Sequence, residues 1–359
     1  MKEIILYKYY PAIKCNLNFT IYISEQHLSY YSLILYKLKH GIMSKVKLGN
    51  TDLTFEPIVF GGNVFGWTID EKQSFAILDG FVDRGFSLID TANQYSYWVP
   101  GNSGGESEQI IGNWLKKSGK RDQVLIATKV GGTKKDTPTP NTAKDYIIKE
   151  VEFSLKRLQI DTIDLYQTHF DNESIPVEET LEAYQQLIKE GKVKWIGASN
   201  LSPTRLEESL EKSKLLHLPR YESLQPEYNL YHRQKYEQQY EKIVQDNNLG
   251  VITYYSLASG FLTGKYRNLD DLSKSVRGGS VKEMLDDRGL RILKALDEVS
   301  DQNQTSVSSI ALAWIIARPS ITAPIVSVTK LQQLEDFTAA THIQLTVQDI
   351  EKLNVASTL

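Results

Sequence analysis

Residues 176–200 read PVEETLEAYQQLIKEGKVKWIGASN. The part from Val177 to Lys189 has helical periodicity, and VKWIGAS at 193–199 is a short apolar run that suits a strand. A helix leading into a short, fully buried strand is one unit of an alternating fold. The same alternation recurs outward from it. Upstream runs are EPIVFGG at 56–62, FSLID at 86–90, VLIATKVG at 124–131 and IDLYQTH at 163–169. Downstream runs are ESLQPEY at 222–228, GVITYYS at 250–256 and TAPIVSV at 322–328. Between the runs, helices are expected at Glu71–Arg84, Glu106–Leu115, Thr142–Leu158, Pro203–Lys214, Tyr231–Asp246, Asp286–Gln302, Val307–Ala317 and Leu331–Ala340. Ser202 and Pro203 supply an N-cap and a first-turn proline for one of them.

Strands separated by helices pair in parallel through crossovers, and eight such units suggest closure into a (β/α)8 barrel. An open doubly wound sheet is the alternative, but no G-x-G-x-x-G follows the first run, so a Rossmann site is not signalled. Ahead of the barrel, Lys45–Leu48 and Leu53–Glu56 flank a Gly49-Asn50 turn and read as a hairpin.

The chain has 359 residues, room for one such barrel with insertions. A net charge of −3 gives no basic surplus for nucleic acid. The single cysteine, Cys15, excludes an internal disulfide framework and a thiolate metal site. The histidines form no HExxH and no short pair, so no metal is expected. Residues 1–42 differ from the rest. Lys8, Lys14, Glu25 and Lys37 interrupt every window long enough to span a membrane, and no signal-cleavage pattern follows. They are expected to be a poorly ordered or misassigned extension, with a short hairpin or partner-binding arm as the rival, and the functional domain to run over 43–359. A cytoplasmic enzyme is expected, with no nucleic-acid or membrane partner.

In a β/α barrel, reacting groups project from the C-terminal ends of several strands. The ends here deliver Asp90, then Tyr95, Lys129 and His169. Each alone has a bland reading as a cap, a packed tyrosine, a snorkelling lysine or a structural histidine. Together they meet the needs of carbonyl reduction, which requires a proton donor for the developing alkoxide. A lysine ammonium about 4 Å from a phenol favours its phenolate by about 4 kcal/mol at an effective dielectric near 20, on the order of three pKa units. Lys129 is therefore expected to lower the Tyr95 pKa, with Asp90 holding the lysine and His169 orienting the carbonyl oxygen.

These residues in their setting resemble the aldo-keto reductase superfamily. The resemblance rests on FSLIDTANQY at 86–95, GESEQIIGNWL at 105–115, VLIATKVG at 124–131, DLYQTH at 164–169 and the segment 176–200. It continues through LQPEYNL at 224–230, YYSLASGFLTGKY at 254–266 and PIVSVTKLQQLED at 324–336. It implies a TIM barrel with an N-terminal hairpin cap and extra C-terminal helices. It also implies Tyr95 as general acid, Lys129 as its partner, Asp90 as the lysine's anchor and His169 beside the carbonyl. For the cofactor it implies contacts from Gly62, Asn63 and Asp90, Ser199, Asn200 and Gln225 on the nicotinamide amide, and Tyr255 stacked on the ring, with Tyr254 in the core. It assigns Ser256, Leu257, Ser259, Gly260, Leu262, Gly264 and Lys265 to the pyrophosphate loop, and Ser327, Thr329, Lys330, Gln333 and Asp336 to the adenine end. Phe337 stands where relatives carry an amide, and Lys330 is the local cation, so NADP(H) is expected, with NAD(H) the alternative.

Phe65, Trp67, Tyr97 and Trp98 follow the first two runs and are candidates for a substrate wall or for loop packing, and 96–105 for a mobile lid. The implied function is reduction of aldehydes or ketones, aldoses among them. The alternative is a cofactor-binding regulatory subunit similar to potassium-channel β subunits. A metal-dependent hydrolase on the same barrel lacks ligand clusters at the strand ends. The sequence does not set the oligomeric state.

Overall fold

The computed structural model describes residues 45–134 and 137–359; the expected extension at 1–42 lies outside them. The chain enters through a hairpin, β1 (Val46–Lys47) and β2 (Thr54–Phe55), paired antiparallel. Its turn needs Gly49, whose φ is +52° and where a Cβ would sit 2.5 Å from the Glu222 carbonyl oxygen. Eight parallel strands follow: β3 (Val59–Gly61), β4 (Leu88–Asp90), β5 (Leu125–Val130), β6 (Ile163–Thr168), β7 (Val193–Ser199), β8 (Ser223–Gln225), β9 (Gly250–Thr253) and β10 (Ala323–Val326). Pairing of β10 with both β3 and β9 closes the barrel.

The helices are α1 (Glu71–Asp83), α2 (Glu106–Ser118), α3 (Lys144–Leu158), α4 (Val177–Lys189), α5 (Pro203–Leu216), α6 (Gln234–Gln239), α7 (Glu241–Asn247), α8 (Asp287–Gln302), α9 (Val307–Ile316), α10 (Leu334–His342) and α11 (Val347–Ala356). Most surround the sheet, while α11 packs on α8 and α9 is buried over nearly its whole length. The cap of α5 is the one its sequence predicts, with Ser202 Oγ accepting from Arg205 N and Pro203 at the first position. α2 and α3 approach so closely at Gly112 that a Cβ there would lie 2.0 Å from the Arg157 carbonyl oxygen.

Side-chain alternation sorts the barrel interior into layers. Val59, Leu88, Ala127, Leu165, Ile252, Ala323 and Ile325 fill the lower interior, with Trp195 packed against them, and the hairpin plugs the bottom with Leu48, Leu53 and Phe55. Two residues further along their strands, the interior turns polar at Asp90, Lys129, Gln167 and Ser327. The fold therefore closes one end with hydrocarbon and leaves chemistry at the other.

The single helix expected at Tyr231–Asp246 is instead α6 and α7, broken at Tyr240 (φ −117°, ψ −30°). The buried Tyr240 hydroxyl donates to the Leu201 carbonyl, and Asn229 Oδ1 accepts from the backbone N–H of Tyr231 and His232, which replaces helical bonding there. Tertiary partners outbid the local pattern. The segment between β9 and α8 folds as short 3-10 turns that carry no helical periodicity to read, at Ala258–Thr263, Leu269–Lys274 and Gly278–Met284. Among the described residues, no helix is long and apolar enough to cross a membrane and no acid, histidine or cysteine cluster could hold a metal.

Candidate active site

The polar layer is built around Lys129. Its side chain is fully buried and its ammonium has three protons. One goes to Asp90 Oδ2 at 2.5 Å, one to the Thr91 carbonyl at 2.8 Å and one to the Tyr95 hydroxyl oxygen at 2.9 Å. Burial opposes the charge, but Asp90 and Tyr95 reverse that and leave the lysine pKa raised, so it stays an ammonium. Asp90 is equally enclosed. Its other oxygen, Oδ1, accepts from Gln167 Nε2 at 3.0 Å and Gln225 Nε2 at 3.1 Å. Gln167 was missed in the sequence. The signal was present: it lies two residues before His169 and so shares its face of the strand.

Tyr95 sits on the loop after β4. Asn93 N donates to the Lys129 carbonyl, and Ser96, held at φ +73°, donates its hydroxyl to the Phe65 carbonyl. The tyrosine pKa is raised, not lowered as its lysine neighbour led us to expect. Burial is the largest cause and the Asp90 carboxylate adds to it, while Lys129 offsets only part. The expectation counted the ammonium and omitted desolvation and the ammonium's own counter-ion. Tyr95 thus remains a phenol at neutral pH. His169 shows the opposite displacement: burial, then Lys129, hold its pKa well below the usual histidine value, so the ring is neutral. Its Nδ1 is buried without a hydrogen-bond partner.

The residues that the resemblance assigns to a dinucleotide fall into three groups. In the first, Ser199 Oγ donates to the Gln225 carbonyl at 2.9 Å, and Asn200 Nδ2 donates to the His169 carbonyl and to Ser199 Oγ. Asn200 Oδ1 accepts from the Tyr254 hydroxyl at 2.9 Å, and Gln225 Nε2 is shared between Asp90 and Gln167. Tyr254, expected in the core, is half-buried because this hydroxyl is tied to Asn200 at the rim. Tyr255 is 53% exposed and held at φ +53°, a strained value for a bulky residue, with Asn229 Nδ2 donating to its carbonyl. Gly62 and Asn63 lie at the end of β3. Ser107 Oγ donates to the Gly62 carbonyl, and Asn63 Oδ1 accepts from Ser327 Oγ at 2.5 Å.

The second group is the 256–265 loop. Ser256 Oγ is turned back onto the Thr253 carbonyl, Leu257 is half-buried and Leu262 is fully buried. Ala258, Ser259, Gly260 and Gly264 all have positive φ. Such strain costs on the order of 1–3 kcal/mol for each non-glycine residue and persists at ligand clamps. Lys265 lies over the Tyr266 ring at 4.9 Å.

At the third group, the Thr329 and Lys330 amides donate to Gln333 Oε1 and Asp336 accepts from Ser306 Oγ. Lys330 is exposed with no acid in ion-pair range among the described residues. Phe337 has a plain structural reason: it is buried, edge-on to Phe81 and Phe86.

Above Tyr95 the rim is aromatic. Trp98, 40% exposed, meets Tyr95 edge-on at 6.2 Å, and Trp67 and Tyr97 meet Trp98 at 5.5 and 5.6 Å. Phe65 is not part of this wall. It is fully buried and stacked on Phe60, because its side chain follows the turn Gly62–Val64 into the core. Arg277 was unreadable from sequence. Its guanidinium stacks over Trp67 at 5.0 Å, its Nη2 is buried without a partner, and burial pushes its pKa down with only Tyr255 and Tyr266 opposing. A half-buried guanidinium with no carboxylate in ion-pair range among the described residues is chemically suited to an anion.

The sequence matches the aldo/keto reductase family over residues 57–357. It is 33% identical over 299 residues to the aldo-keto reductase YhdN of Bacillus subtilis, covering 82% of this chain and 86% of that protein. It is 29% identical over 310 residues to the L-glyceraldehyde 3-phosphate reductase of Escherichia coli O157:H7, covering 83% and 87%. To a probable voltage-gated potassium channel subunit beta of Arabidopsis thaliana it is 29% identical over 307 residues, covering 82% and 90%. With the closed eight-stranded barrel and its polar rim, this match over most of the chain means that the protein belongs to the aldo/keto reductase family of oxidoreductases.

Proposed function

We propose that the protein interconverts aldehydes or ketones and alcohols with NADP(H), Tyr95 acting as the general acid. One observation carries the proposal. Lys129 spends a proton on the Tyr95 hydroxyl oxygen, so the tyrosine's own proton must turn away from the lysine and is free for a substrate. As that proton leaves, the ammonium at 2.9 Å stabilises the phenolate that forms. His169 completes the site. With its proton on Nε2, the neutral ring donates to the carbonyl oxygen rather than acting as a base.

The residues present fit a nicotinamide dinucleotide. The amide nitrogens of Asn200 and Gln225 are both spent, leaving oxygen lone pairs to accept from a carboxamide NH2. The exposed ring of Tyr255 offers a platform, while Lys265, the strained 258–260 backbone and the partnerless Nη2 of Arg277 suit phosphates. Lys330 favours a 2′-phosphate. When bound, the cofactor supplies the hydride. The test is fluorescence titration with NADPH and NADH, followed by turnover of an aldehyde panel that includes glyceraldehyde 3-phosphate. Tyr95→Phe should bind NADPH as the parent does and lose turnover by roughly 10²–10⁴-fold; an active variant would remove the assignment. The channel-subunit relative favours a second reading, a cofactor-binding partner protein. That reading gains if NADPH binds tightly and no carbonyl on the panel is reduced.

A further inference from the structure

A cavity of about 350 Å3 opens at the rim beside, and not within, the catalytic layer. Leu201, Leu224, Pro226, Tyr231, Tyr240 and Tyr254 form its apolar and aromatic walls; Tyr95, Lys129, His169 and Tyr255 do not line it, and Asn200 is the lining residue it shares with the nicotinamide site. Its charged side chains are Glu227, Arg233, Lys235 and Arg288, with Leu359 also at its edge. Arg233 is matched by Glu237, and Glu227 faces His232 Nδ1 at 2.8 Å. Arg288 and Lys235 also line the cavity, and neither has a carboxylate in ion-pair range among the described residues. The Arg288 guanidinium is instead laid over the Tyr231 ring at 4.0 Å; the Tyr231 hydroxyl donates to Asp286 Oδ2, and the Arg288 charge helps to lower the pKa of that carboxylate from outside ion-pair range. Flat aromatic walls with two cations at the edge that make no close ion pair among the described residues suit a planar ring carrying a negative group. One wall residue leads inward: the Tyr254 hydroxyl donates to Asn200 Oδ1.

We propose that this cavity is a second small-molecule site, taking a planar aromatic anion, and that its occupancy is felt at the nicotinamide site through the Tyr254–Asn200 hydrogen bond. The coupling rests on the cofactor reading above; the site itself does not. An anion that accepts the Tyr254 proton withdraws it from Asn200, and Asn200 loses the brace that orients its remaining lone pair. Linkage requires the reverse effect to be equal.

The probe is anilinonaphthalene sulfonate, an aromatic anion with a flat naphthalene ring whose fluorescence rises on burial, titrated into the full chain with and without saturating NADPH. The expected result is saturable binding that persists in the NADPH-loaded protein, with each ligand weakening the other by about fivefold, the scale of one hydrogen bond. Arg288→Gln should weaken the probe by roughly fivefold, as for a partly exposed charge pair, and leave NADPH affinity alone. Tyr254→Phe should still bind both ligands but abolish their coupling. Displacement of the probe by NADPH, or indifference to Arg288→Gln, overturns the site. Binding of both ligands without mutual effect overturns the coupling. If NADPH fails to bind while the probe still responds to Arg288→Gln, the site stands and the cofactor reading falls.

Discussion

Replacing Lys129 with methionine keeps the length of the side chain and removes its charge. The ammonium lies 2.9 Å from the Tyr95 oxygen. At an effective dielectric near 20, a full phenolate there gains about 6 kcal/mol, or about four pKa units. A transition state in which the phenolate has gained half its charge loses about 3 kcal/mol, on the order of 10²-fold in rate. The pH dependence has a definite sign. Reduction needs Tyr95 protonated, and its pKa is already raised by burial. Activity should hold at neutral pH and fall as pH rises through the tyrosine pKa, and the variant should move that falling limb to higher pH. Alcohol oxidation, which needs the phenolate, should rise at correspondingly higher pH. The assay is steady-state turnover across pH in both directions, with NADPH affinity measured alongside to show an intact cofactor site. Turnover within a factor of about three of the parent, with an unshifted profile, would refute the electrostatic role of Lys129.

Three further outcomes follow from the geometry. Lys330→Ala should weaken NADPH by roughly tenfold and NADH little, since a charge-assisted phosphate contact is lost; equal losses for both would move 2′-phosphate recognition away from Lys330. His169 has a lowered folded pKa, so the unfolded chain binds a proton the folded one does not, and stability should drop as pH falls below about 6.5. Melting temperature between about pH 7 and 5 should therefore slope less in His169→Gln than in the parent, and parallel slopes would contradict the assignment. Gly112→Ala forces a methyl to within 2.0 Å of the Arg157 carbonyl, so denaturant unfolding should show a loss of about 1–3 kcal/mol or more as α2 and α3 separate, and a neutral effect would contradict the close approach.

By itself the sequence determined the alternation of strands and helices and the residues at the strand ends, because both follow from short periods along one chain. The β7 bounds at Val193–Ser199 and the α4 bounds at Val177–Lys189 match the sequence reading to the residue. Asp90, Tyr95, Lys129 and His169 were legible since a barrel must present strand ends to one rim. Whatever depends on enclosure was not legible. Phe65 and Phe337 have the chemistry of a pocket wall, and only packing turns them inward. Tyr95 has a lysine beside it, and only the depth of burial decides that its pKa rises. Arg277 lies in a stretch with no periodicity, and only the fold shows that its Nη2 is buried with no partner among the described residues. Pattern along the chain sets which groups can meet; desolvation and the full set of neighbours, which exist only after folding, set what those groups do.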